Sequence, residues 1–301
     1  MSDGILLRGL DGSNPLAFLA ALGTLRTLTL ALPDEGVRMN WEQHDGAWRP
    51  KVFCSLSGDS DALVALIAST LEAPSKALEV DKRLPFAAEK FRGLLLQAVC
   101  DKDWACAEWL ACLGTEAIVD DEAFADTDLR MVRSGDSAGQ GMLHYACLVV
   151  KQTAPDDLRH CLFDRWIYSQ RGSSFRWDPT EDAQYALQAS NPSKEGISSV
   201  IGANRLALEA LPLLPVYPVG NTAITLGFGA VTKRVGRELR WPIWDRPVPM
   251  SVVSSLMGLK AINTSPVSWE EIRRTGIVAV FSSAQYKPNQ YYSNFRPAHV
   301  L

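Results

Sequence analysis

Apolar positions recur along this chain with two different periods, and each change of period marks an element. Residues 5–10 read as a short strand. Asp11-Gly12-Ser13-Asn14-Pro15 then supplies a turn, an N-cap and a first-turn proline. The helix predicted to follow carries Phe18, Leu22 and Leu25 on one stripe, with Ala17, Ala20 and Ala21 permitting close packing, and Pro33 ends it. Two strand-like segments, residues 37–42 and 48–56, flank a turn at His44-Asp45-Gly46.

The period then becomes helical. Helices are predicted over 62–71, 86–100 and 104–113, the first capped by Asp59 or Ser60 and the second opened by Pro85. An acidic loop is expected at 120–128, a strand at 129–133, a loop of small residues at 134–141, and helices over 142–150 and from Pro155. Further on, 174–177 reads as a strand, 180–194 as a polar stretch, and 197–211 as a helix closed by Pro212 and Pro215. Residues 222–228 and 238–244 look like an antiparallel pair, followed by short helices at 252–259 and 269–274 and a strand at 277–281. The tail from Gln285 onward is polar, aromatic and proline-punctuated, and is expected to order only against a neighbour.

This succession predicts an α+β fold with mixed, mainly antiparallel sheet segments and a helical middle region. Two parts are expected. Residues 1–127 carry the strand, helix and hairpin with the acidic helices, and 128–301 carry the rest with a basic hairpin and the tail.

Composition narrows the class. Of 301 residues, 47% are hydrophobic and 21% charged, which suits a folded globular chain rather than a disordered one. The net charge of −4 excludes a simple polycation. The distribution is uneven, however. Residues 59–127 hold roughly 14 acidic against 6 basic residues, whereas residues 230–301 hold roughly 10 basic against 4 acidic. No apolar run approaches the roughly 18 residues of a membrane span, and no secretory leader is evident. Six cysteines without a CxxC pair point to reduced thiols in a cytoplasmic protein that needs no membrane.

Catalytic and metal patterns are missing. The four histidines form neither HxxxH nor HExxH, no GxSxG elbow occurs, and no cofactor or metal is expected. Arg130 and Arg133 lead into a glycine-rich stretch that includes Ser134 and Gln140 and runs into a helix. Such a loop can offer backbone N–H groups to a phosphate or serve as a plain connector. It lacks the Gly-Lys-Ser/Thr of a Walker loop, which makes ATP hydrolysis a poor reading, and a small-molecule or nucleotide-using enzyme acting through this loop is the alternative from another class. The best nucleic-acid candidate is the basic turn with Lys233, Arg234 and Arg237. Arg240 and Arg246 follow it, with Trp241 and Trp244 between them. Arginine suits phosphate and aromatics suit base stacking, while the plainer reading is a solvated loop with its tryptophans in the core.

Three blocks carry a family resemblance. Gly9-Leu10-Asp11-Gly12-Ser13-Asn14-Pro15 with the helix through Gly23 resembles the N-terminal strand-to-helix junction of subunits from CRISPR type I-G (formerly I-U) effector loci. Gly202-Ala203-Asn204-Arg205-Leu206-Ala207-Leu208-Glu209-Ala210-Leu211 with Pro215 is similar to a late helix and proline stop of that group. Leu239-Arg240-Trp241-Pro242-Ile243-Trp244-Asp245-Arg246-Pro247-Val248-Pro249-Met250 is similar to its strand ending in tryptophan, proline-rich turn and following helix.

The resemblance implies a non-catalytic, large-subunit-like component of a Cascade-type ribonucleoprotein complex. Its expected partners are CRISPR RNA, target DNA, the other Cascade subunits and a recruited nuclease-helicase. On that reading Lys233, Arg234, Arg237 and Arg240 meet a nucleic-acid backbone, with Arg130 and Arg133 as second candidates. A guide-RNA-gripping backbone or capping subunit is the alternative within the same complex.

Overall fold

A computed structural model describes residues 3–56, 58–71, 75–132, 141–168, 170–171, 174–181, 198–229, 237–287 and 292–301. Helix α1 (Pro15–Ala31) forms as its sequence dictates. The Asn14 side chain accepts from the N–H groups of Leu16 and Ala17, and Pro15 fills the first turn. With alanine, leucine and threonine on nearly every side, α1 is buried from Pro15 to Leu28 and forms the axis of the core.

On one side of α1 lies an antiparallel sheet. Its central hairpin is β2 (Arg38–His44) with β3 (Ala47–Phe53), and β1 (Ile5–Leu6) pairs the outer side of β3. Across the chain, β10 (Glu238–Trp244) pairs antiparallel with β12 (Ile277–Tyr286), and β11 (Val248–Pro249) returns to pair with β2. Phe18 of α1 packs at 5.7 Å from Trp41 and 5.7 Å from Trp241, and Trp244 meets Trp41 edge-on at 6.0 Å. One hydrophobic cluster runs from Ile5 to Phe295 and takes residues from either side of position 127.

On its other face α1 meets α7 (Ile201–Glu209). Gly23 makes this approach possible, since a Cβ there would lie 1.7 Å from the Leu206 carbonyl oxygen. Gly23→Ala is therefore expected to lower stability by about 2–3 kcal/mol, because backbone cannot rotate away as a side chain can. Thermal melts followed by circular dichroism check this. Gly93→Ala is the control, since Gly93 lies in helix α3 (Ala88–Cys100) with nothing within 4 Å, and it should be neutral or slightly stabilising.

The acidic helices α2 (Ser60–Thr70), α3 and α4 (Trp104–Leu113) fall close to expectation, with Asp59 capping α2. So do α5 (Met142–Gln152) and α6 (Pro155–Phe163), then α8 (Met250–Met257) and the short α10 (Trp269–Ile272), while the one-turn helix α9 (Lys260–Asn263) between them was not predicted. The fold is α+β with small antiparallel sheets. No helix among the described residues is long and apolar enough to cross a membrane.

Several expectations are corrected. The acidic stretch at 120–128 is not a loop but includes the turn and second strand of a hairpin, β4 (Gly114–Asp120) with β5 (Ala123–Asp126). Asp121 and Glu122 both take positive φ at its tip, the geometry of a tight hairpin turn. No strand forms over 129–132, where only Val132 bridges to Tyr292. Residues 174–177 pair with nothing as a strand. Arg176 takes φ of 64°, and Phe175 and Trp177 stack at 4.5 Å in the core.

Residues 222–228 do not make a ladder with 238–244. Strand β9 (Thr222–Thr225) pairs with β8 (Val216–Val219), and only Phe228 bridges to Leu239. The predicted helix at 197–211 begins at Ile201, because Ser198–Ser199 (β7) pairs with Gln170–Arg171 (β6). The tail, finally, orders against its own chain. Asn294–Phe295 (β13) and His299–Val300 (β14) both pair with β12, and Phe295 is fully buried.

Candidate nucleic-acid interface

The sequence-predicted site residues divide into three groups. Lys233, Arg234, Arg133, Ser134 and Gln140 lie outside the described residues. Arg237 is held by Asp128, at 3.0 Å from Nε and 3.1 Å from an Nη, and donates to the Ala223 carbonyl at 3.0 Å. Burial raises the Asp128 carboxyl above its ordinary range, while the Thr225 N–H and Arg237 oppose that shift. Arg240 pairs with Glu238 at 3.0 Å and donates to the carbonyls of Ile262 and Thr264, joining β10 to α9. Arg130 is buried against Asp126 and the Leu84 carbonyl. Only Arg246 stands exposed among the described members of the predicted set.

Arg130, Arg237 and Arg240 are therefore structural braces, each paired with a carboxylate and bonded to at least one carbonyl. Trp241 and Trp244 are fully buried around Phe18, and the Trp241 indole donates to the Gly12 carbonyl at 2.8 Å. Neither can stack on a base. Even so, the described ends of the two predicted segments meet. Gly229 N–H donates to the Glu238 carbonyl at 3.0 Å, closing the span from 230 to 236, and the Asp128–Arg237 pair links its base to the chain leading into 133–140.

A different set of cations gathers at the N-terminal end of α1. There a cleft of about 840 Å³ is lined by Arg8, Arg49 and Arg165 with Trp166 and Tyr168. Arg8 is positioned by its two neighbours. Leu7 N–H donates to the Pro50 carbonyl of β3, and Gly9 N–H donates to the Leu162 carbonyl of α6. Gly9 has no room for a side chain, since its Cβ would sit 2.3 Å from the Cys161 carbonyl oxygen. Arg49 projects from β3, and Arg165 and Trp166 follow the end of α6. None of these three arginines pairs with a carboxylate among the described residues, in contrast to Arg130, Arg237 and Arg240.

The floor of the cleft is a fixed polar network. Asp178, 1% exposed, accepts from the Asn14 amide at 2.9 Å, the Tyr168 hydroxyl at 2.7 Å and the Thr180 N–H at 2.8 Å. Burial and the Asp178 charge raise the Tyr168 phenol, so it stays a neutral donor. Asp11 and Asp45 also line the cleft, and Asp11 accepts from the Ser13 N–H and hydroxyl. The lining therefore combines three open guanidiniums, two carboxylates and an apolar wall. Such a mixture can bind phosphates by charge and a planar ring by contact.

Sequence reasoning missed this site because its arginines come from three elements far apart in the chain, with no local charge run. The one visible signal was Arg8, directly before the Gly9–Pro15 junction. Among the described residues no group of three or more His, Cys, Asp or Glu side chains is arranged to hold a metal ion. No protein-family model matches the chain, and no curated protein matches it significantly.

Proposed function

We propose that this protein is a non-catalytic, nucleic-acid-contacting subunit of a CRISPR RNA-guided surveillance complex, and that the Arg8–Arg49–Arg165 cleft is its main contact surface. The observation that carries the reading is the contrast in arginine use. Arg130, Arg237 and Arg240 are neutralised within the chain, whereas these three converge on one concavity with no ion pair to a carboxylate among the described residues. The first block of the type I-G resemblance supplies Gly9, Asp11, Ser13, Asn14 and Pro15 to the same cleft. Lys233 and Arg234 add a second contact on this reading, and Arg246 lies on the exposed bend after β10.

Nucleic-acid binding measured by fluorescence anisotropy across a salt series tests it. The chain, alone or with its partner subunits, is expected to bind with a log–log salt slope that falls by roughly 0.7–0.9 for each phosphate-contacting arginine removed. Arg8→Gln, Arg49→Gln and Arg165→Gln together should flatten the slope by about 2 and weaken low-salt affinity on the order of 100-fold. Absence of any binding, or binding indifferent to salt, would overturn the reading. Crosslinks mapped in the purified complex separate its two forms, since contacts to guide RNA alone would make this a gripping or capping subunit rather than a DNA reader.

A further inference from the structure

We infer that the cleft takes an unpaired nucleotide from a single strand, with the base against the Trp166 indole and the flanking phosphates on Arg8, Arg49 and Arg165. This rests on the nucleic-acid reading above and specifies what that surface holds. Trp166 is half-buried, and its indole N–H is turned inward to the Cys161 carbonyl at 2.9 Å. The ring therefore offers the cleft only carbon surface. Tyr168 braces it edge-on, with ring centroids 6.5 Å apart and planes at 74°. The Tyr168 hydroxyl is already bound to Asp178, which holds the brace in place.

Shape argues for an unpaired base. A volume of about 840 Å³ lies within the roughly 300–1,000 Å³ range of pockets that enclose a ligand of drug or nucleotide size. A duplex keeps its bases stacked inside a convex rod and presents only backbone to such a concavity, whereas an unstacked base enters it. The walls agree. Phe163, Pro179 and Pro297 supply apolar surface beside Trp166, as a planar ring requires and a bare phosphate does not. Asp11 and Asp45 would repel an isolated phosphate, yet both suit the exocyclic amines of a base.

The test uses the full chain with three fluorescent probes: single-stranded RNA, single-stranded DNA, and the blunt duplex of the same sequence. Trp166→Ala is expected to weaken single-strand affinity about tenfold and leave duplex affinity unchanged, with Trp166→Phe recovering most of the loss. A 5-iodouracil-labelled single strand should photocrosslink to the peptide that contains Trp166. The RNA and DNA arms decide which strand the cleft prefers. Thermal melts of both variants show whether each is folded. Single strands bound with unchanged affinity by Trp166→Ala and with no crosslink near Trp166 would overturn this inference alone. Equal losses for duplex and single strand would overturn it as well. Failure of every probe to bind the unaltered chain would instead remove the nucleic-acid reading itself.

Discussion

Glu209→Ala is expected to cost about 3–5 kcal/mol of folding free energy, because it strips the shared counter-charge from two buried guanidiniums. Arg205, 1% exposed, places an Nη 2.6 Å from Glu209 Oε1, and Arg26, 4% exposed, places one 3.0 Å from Oε2. Each carboxylate oxygen thus holds its own arginine, one from α7 and one from α1. Removing the carboxylate leaves Arg205 with the Leu71 carbonyl, and Arg26 with the distant, exposed Glu108 and the Trp109 ring face. Melting should fall on the order of 6–10 °C, with the loss also visible in urea unfolding at constant m-value. Glu209→Gln should recover part of the packing but not the charge. Replacing all three residues by apolar side chains of similar volume should cost less than Glu209→Ala alone, since no charge is then left buried. A triple variant weaker than the single one would mean that the network is itself a net source of stability.

This network shows what was legible in the sequence and what was not. The α1 start could be read residue by residue because a cap is local: Asn14 and Pro15 act on the N–H groups of the next two residues. The span of α4, 104–113, was read equally well from its period. The three blocks that carry the family resemblance converge in space. Gly23 meets Leu206, and Phe18 meets Trp241 and Trp244, so much of their content is core packing rather than chemistry.

The failures are non-local. Arg237 looked like a free cation because its partner, Asp128, is remote in the chain. Strand β10 is buried at Trp241, Pro242, Ile243 and Trp244, on both faces, so alternation could not show where its tryptophans point. The partner of β10 proved to be β12 rather than the nearer 222–228, a pairing that no local pattern specifies. The cleft was hidden for the same reason. Only the fold brings Arg8, Arg49 and Arg165 to one end of α1.

Beneath that cleft, Glu181 should make the protein less stable as pH rises from about 5 to 8, the reverse of an ion-paired carboxylate. Glu181 is 1% exposed, and burial together with the Asp178 charge pushes its pKa from 4.5 up to about 8. The Ser174 hydroxyl, at 2.5 Å, and the Arg176 charge oppose this without reversing it. Below pH 4.5 the carboxyl is protonated in both the folded and the unfolded chain, and it adds no pH dependence. Above that, the unfolded chain releases the proton while the folded one retains it, so stability declines until the folded group also ionises near pH 8. At about 1.4 kcal/mol per tenfold change in proton affinity, the full swing is on the order of 3–5 kcal/mol. Glu181→Gln, neutral throughout, should flatten this part of the profile and exceed the unaltered chain in stability at pH 8.5. Urea unfolding at pH 5.5, 7 and 8.5 measures it, and parallel profiles for the two proteins would show that Glu181 ionises normally in the fold. The effect should reach the cleft as well. A second carboxylate charge beside Asp178 loads the residue that fixes Asn14 and Tyr168, so nucleic-acid affinity should weaken as the folded Glu181 ionises around pH 8 in the unaltered protein and not in Glu181→Gln.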